Sequence, residues 1–166
     1  MYSSFSTREI VFTGLMTALV FIATFVPHIP IPLGYAHLGD AVIFLLALLV
    51  PRRPAIIAAC LGSALADLLG GFALWAVPTI VIKYGMAEIV YRIAPQGRAM
   101  GQGRIVTALL LSSLWMAFAY TLVGAVLYDG LIAALTSTPG LIVEGIVNSV
   151  IALLLLPMLR GRMPRI

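Results

Sequence analysis

Lys83 is the residue whose type and position demand an explanation first. It lies inside a long apolar run, and no other lysine or arginine does. A cation at membrane depth needs an acidic partner or an anionic ligand. At about 1.5 Å per helical residue, Lys83 sits roughly 13 Å below one end of its helix. Asp67 and Glu144 are the acidic groups at compatible depth. Glu144 and Asn148 are four apart, so they share a helix face, roughly 8 and 15 Å deep. Tyr35, His37 and Asp40 sit in or beside a loop at the same end. Trp75, Tyr84, Trp115 and Tyr120 offer flat surfaces of the kind a planar ring needs. Glu88 is nearer the other end, and Arg92 one turn later is its natural partner. The chemistry this set can do is recognition: it can orient the polar groups of a small molecule and stack its ring.

Each residue also has a plainer reading. Lys83 with Asp67 or Glu144 makes a structural ion pair. Asn148 makes an interhelical hydrogen bond. Trp75 suits a membrane-surface belt, Trp115 suits a packed core, and Asp40 suits a helix cap.

The elements that carry these residues are membrane helices. The chain has 166 residues, 62% of them hydrophobic and only 10% charged, with mean hydropathy +1.12. So few charges cannot cover a water-soluble surface of this size. The expected fold is an all-α integral membrane bundle of six transmembrane helices, forming one domain over residues 1–166 with both termini cytoplasmic. The spans expected are residues 8–26, 39–50, 54–69, 74–93, 105–127 and 138–159, with a weakly apolar stretch over 129–135. Thr138 and Pro139 read as the cap and first-turn proline of the last helix. Residues 27–37, rich in proline, read as a structured loop. The N-terminal apolar run is of spanning length and reads as a first helix, not a cleaved signal.

Charge tests this layout. With the N-terminus inside, Arg8, Arg52, Arg53, Arg92, Arg98, Arg104, Arg160, Arg162 and Arg165 all fall on the cytoplasmic side. That is nine of the ten basic residues, and it follows the positive-inside rule. The net charge of +4 therefore needs no nucleic-acid partner. The single cysteine, Cys60, excludes an intramolecular disulfide and gives no metal pattern. The sequence has no phosphate-binding glycine–lysine loop, no His-Glu-x-x-His, no Gly-x-Ser-x-Gly and no Cys-x-x-Cys. We expect neither an enzyme nor a cofactor.

Three segments carry a resemblance. They are His37-Leu-Gly-Asp40-Ala-Val-Ile-Phe, Gly62-Ser-Ala-Leu-Ala-Asp67-Leu-Leu-Gly-Gly71 and Trp75-Ala-Val-Pro78-Thr-Ile-Val-Ile-Lys83. Together they resemble the substrate-binding S component of energy-coupling factor (ECF) vitamin transporters, of the riboflavin-type or hydroxymethylpyrimidine/vitamin B6-type subgroup. The detailed match covers residues 35–91. The resemblance implies a multi-pass protein of the bacterial cell membrane that captures a water-soluble vitamin at the outer face, under a lid formed by the loop after helix 1. It implies docking on a transmembrane coupling subunit bound to two ATPases. The family's docking motif is an alanine pair four apart in helix 1; here Gly14 replaces the first and Ala18 is the second. Under this reading Asp40, Asp67, Lys83, Glu144 and Asn148 orient the ligand, Trp75, Tyr84 or Trp115 stacks on its ring, and Tyr35 and His37 close the lid. The rival reading is a self-sufficient oligomeric channel or carrier.

Overall fold

The computed structural model describes residues 5–96, 101–128, 130–160 and 162. Arg98, Asp129 and Arg165 of the sequence argument lie outside them. Six α-helices are found among the described residues: α1 (Thr7–Phe25), α2 (Gly39–Leu49), α3 (Arg52–Leu69), α4 (Ala76–Ile93), α5 (Gln102–Leu127) and α6 (Leu131–Leu159). By length and composition, α1, α5, α6 and α4 with its preceding 3-10 turn (Ala73–Trp75) can cross a membrane. The α3 helix is interrupted by charge at both ends, through Arg52, Arg53 and Asp67.

The short α2 is the centre of the bundle. Its 11 residues span about 16 Å, half a bilayer core. It packs against α1, α3, α4 and α6, and nine of its residues are buried. This shielding lets a half-length helix exist at membrane depth without exposing its ends to lipid. Phe44, Leu45 and Leu48 of α2 join Ile82, Met86 and Val90 of α4 and Leu109 and Met116 of α5 in the larger core cluster.

Small residues set the closest approaches. A side chain at Gly62 would lie 2.7 Å from the Thr17 carbonyl and from Val20, so α3 meets α1 only because Gly62 has none. A side chain at Gly85 would lie 2.5 Å from the Trp115 indole. Gly14 has nothing within 4 Å, and both Gly14 and Ala18 face outward.

Three expectations are corrected. Residues 27–37 are not only loop: β1 (Ile29–Ile31) and β2 (Gly34–Ala36) form an antiparallel hairpin with Pro30 opposite Tyr35. Its turn is tight enough to place Leu33 at φ 62°. The last helix starts at Leu131, and Pro139 lies inside it. Thr138 is not its cap; its hydroxyl meets that of Thr121 at 2.8 Å. Asp40 is not a cap either, because α2 has no side-chain cap bond and the Asp40 carboxylate turns to Lys83.

Candidate ligand-binding site

Beneath the hairpin lies a cavity walled by Tyr35 and His37 from the hairpin segment, Asp67 and Phe72 from the end of α3, Trp75, Tyr120 and Gly124, and Ser137, Leu141 and Glu144 of α6. Its enclosed interior is about 60 Å³, and the space out to its mouth is about 570 Å³.

The end of α3 shows how the sequence builds one wall. Gly71 takes φ 87°, a conformation glycine reaches without steric cost. The Gly70 N–H then bonds the Ala66 carbonyl and the Phe72 N–H bonds the Asp67 carbonyl, each at 2.8 Å. This glycine-capped end stops the helix one turn after Asp67 and turns Phe72 into the cavity wall.

Tyr35 reaches across the mouth. Its hydroxyl donates to Asp67 Oδ1 at 2.9 Å. Its ring stacks on His28 with centroids 3.8 Å apart and leans on Phe72 at 5.1 Å. Burial, and then the charge of the Asp67 carboxylate, push the Tyr35 phenol well above its ordinary range. The phenol is therefore a committed donor. The Asp67 side chain is 93% enclosed as a residue, and Oδ2 has no partner among the described residues. A second tie is the hydroxyl of Ser137, which donates to the Pro32 carbonyl at the hairpin tip.

Trp75 donates from its indole to the Tyr128 hydroxyl at 3.1 Å, and its ring lies 5.5 Å from that of Tyr120. The Tyr120 and Thr79 hydroxyls share a hydrogen bond of 3.0 Å. These contacts leave an aromatic wall beside the Asp67 carboxylate.

His37, Glu144 and Asn148 form the floor. Glu144 Oε1 accepts from the His37 backbone N–H at 3.2 Å and lies 3.1 Å from His37 Nδ1. The Gly39 N–H also points at His37 Nδ1, at 3.2 Å. Burial lowers the His37 ring to about 4, so the ring is neutral at physiological pH. Asn148 Oδ1 accepts from the Ala41 N–H, and its Nδ2 donates to the His37 carbonyl, both at 2.8 Å. The free N–H groups at the start of α2 are thus capped from outside, by His37 and by α6. The sequence pairing of Glu144 with Asn148 on one face is seen, and Asn148 makes the interhelical bond that was its plainer reading.

Lys83 and Asp40 lie behind this floor. Lys83 Nζ is 2.5 Å from Asp40 Oδ1, and neither side chain has any solvent exposure. Neither Asp67 nor Glu144, the expected partners, is in salt-bridge contact with Lys83 among the described residues. Lys83 stands 5.3 Å from the Tyr120 ring centroid and does not line the cavity.

Two predicted aromatics lie elsewhere. Trp115 donates to the Ile82 carbonyl at 3.0 Å and packs on Gly85. Tyr84 is exposed and accepts from Arg52 at 3.3 Å, beside the expected Glu88–Arg92 pair at 3.0 Å. Sequence reasoning missed Phe72 and Ser137 as wall residues. Phe72 was findable as the aromatic directly after the Gly70-Gly71 stop; Ser137 carried no signal.

Comparison with known proteins identifies the family and the fold. The sequence profile described as the ECF-type riboflavin transporter S component matches residues 4–160. An uncharacterized protein of Pyrococcus woesei is 36% identical over 111 residues, covering 66% of this chain and 73% of the relative. The solved structure of the S component of a bacterial ECF transporter superposes with TM-score 0.75 at 20% identity, over 95% of this chain and 98% of that one. That likeness establishes the fold, and the profile establishes kinship: the chain belongs to the ECF-type riboflavin transporter S-component family.

Proposed function

We propose that this chain captures a water-soluble vitamin at the outer face of a bacterial plasma membrane and hands it to an ATP-driven module. The ligand is riboflavin or a pyridine or pyrimidine vitamin. The observation that carries the reading is the tied-down cavity: an aromatic wall and a free carboxylate oxygen beneath a hairpin held by Tyr35–Asp67 and Ser137–Pro32. Ligands of vitamin size fill pockets of about 300–1,000 Å³, so capture requires the hairpin to lift and close again.

The hairpin end faces outward in this reading. Arg52, Arg53, Arg92, Arg104 and Arg160 gather at the opposite ends of the helices, which the positive-inside rule assigns to the cytoplasm. The exposed Gly14–Ala18 face of α1 meets the transmembrane coupling subunit, which is itself bound to two ATPases. Small residues permit close helix approach.

The test is uptake. Vitamin accumulation is expected only when coupling subunit and ATPases are coexpressed. Gly14→Leu is expected to leave vitamin binding intact and abolish uptake. Transport by the chain alone in liposomes would instead make it a self-sufficient carrier.

A further inference from the structure

A second cavity, of about 380 Å³, lies between the hairpin segment and α6. It shares Ile31, His37 and Glu144 with the first cavity, so these residues form the wall between the two. Val143 and Val147 of α6 line it together with Ile29 and Leu38, and all four are exposed at the surface of the chain. Strand β1 rests on α6 at Gly140, where a side chain would lie 3.0 Å from Ile31. The groove therefore opens sideways, between a strand and a helix.

Its depth follows from the length of α6. The helix has 29 residues, which makes it about 43 Å long. The hydrocarbon core is about 30 Å thick, so the excess is about 13 Å, or about nine residues. Even with all of that excess at the hairpin end, α6 is inside hydrocarbon from about residue 140 onward. The mouth of the groove thus faces lipid chains and not water.

Its chemistry is as one-sided. The polar groups at its floor are committed inward. Asn148 Oδ1 accepts from the Ala41 N–H and its Nδ2 donates to the His37 carbonyl. Glu144 Oε1 accepts from the His37 N–H. The remaining side chains are hydrocarbon, and apolar cavities of this kind stay dry and take up apolar molecules. No lysine or arginine lines the groove among the described residues, so nothing there reads the charge of a head group.

We infer that this groove is a binding site for one acyl chain of a membrane phospholipid, held by its hydrocarbon and not by its head group. A chain in the groove packs against Ile31 and Leu38, on the reverse of the wall that bounds the first cavity. Lipid binding and hairpin closure then share that wall. The site depends on α6 crossing the membrane and not on what the first cavity holds.

The experiment places the full chain in nanodiscs of equal dioleoylphosphatidylcholine and dioleoylphosphatidylglycerol and counts retained lipid by native mass spectrometry. One lipid per chain is expected, with the two head groups in the proportion of the disc. Val143→Phe/Val147→Phe, which fills the groove from two exposed positions, is expected to lose that lipid. Leu114→Phe/Leu154→Phe, at positions exposed elsewhere, is expected to keep it. Absence of retained lipid in the wild type, or equal retention in both variants, would overturn the site. Enrichment of the anionic lipid would also overturn it, and would move the retained lipid to the arginine-bearing ends of the helices. A second measurement needs no variant to fold. A phosphatidylcholine carrying a diazirine in its acyl chain is expected to label residues 29–38 and 139–147 of the wild-type chain above its other lipid-facing segments. Uniform labelling of all faces would contradict the inference.

Discussion

Lys83 Nζ lies 2.5 Å from Asp40 Oδ1, in a place where neither side chain touches solvent. The pair ties α4 to the buried start of α2, directly behind the cavity floor. Removing one partner of such a pair leaves an uncompensated buried charge. Lys83→Met is therefore expected to destabilise the chain by about 3–5 kcal/mol. The double variant Lys83→Met/Asp40→Leu is expected to recover most of that loss, because two apolar groups need no partner. Thermal unfolding in detergent reads the difference. Equal melting of single and double variants would mean that the two residues are not coupled.

The hairpin should loosen when its tie is cut. Tyr35→Phe removes the donor to Asp67 and keeps the ring on His28. A hydrogen bond to a charged group contributes about 1.5–3 kcal/mol. Vitamin dissociation is expected to accelerate about tenfold or more, and melting to fall as well, because Asp67 Oδ1 loses its donor. Stopped-flow release measures it, and an unchanged rate would show that the bond does not hold the lid.

Of the two tryptophans, Trp75 lines the cavity and Trp115 does not. Vitamin-induced quenching of fluorescence should survive Trp115→Phe and largely disappear in Trp75→Phe. The reverse pattern would move the site to the α4–α5 seam.

Packing against Trp115 gives a stability contrast between two glycines. Gly85→Ala puts a methyl 2.5 Å from the Trp115 indole nitrogen, and overpacking of this kind costs about 1–3 kcal/mol. Gly14→Ala meets nothing within 4 Å and replaces a glycine within a helix, a change that gains about 0.5–1 kcal/mol. Melting temperatures of the two variants should move in opposite directions.

Acid should loosen the cavity floor. Burial holds the His37 ring at about 4, against about 6.5 in an unfolded chain. Between those values the unfolded chain binds the extra proton, so stability falls as pH drops from about 6.5 towards 4. Above 6.5 the group contributes no pH dependence. Asn in place of His37 keeps an acceptor for the Gly39 N–H and removes the titration. The stability difference between wild type and His37→Asn should thus change across that window and be flat above it.

Much of this architecture was legible in the sequence. Gly70-Gly71 and Pro51 mark real helix boundaries, and Arg92 does pair with Glu88. Depth counting failed for Asp40 because it placed every helix start at one level. The α2 helix is only about 16 Å long, and the hairpin covers its start. Asp40 is therefore sunk to the level of Lys83. The start of α6 was misread because Thr138-Pro139 fits a helix beginning. A proline in the interior costs a bond to the residue four before it, Leu135, and the surrounding apolar helix continues regardless. Tyr84 and Trp115 could not be sorted from the cavity aromatics, since helices apolar on nearly every face give no signal of which face turns inward.

The central claim is capture by this chain without its partners. Equilibrium dialysis of the purified chain, in nanodiscs and without any ATPase, against labelled riboflavin, pyridoxine and hydroxymethylpyrimidine tests it directly. The account predicts saturable binding of one of them at one molecule per chain, lost in Asp67→Leu. A wild-type chain that unfolds cooperatively yet binds none of the three would contradict it.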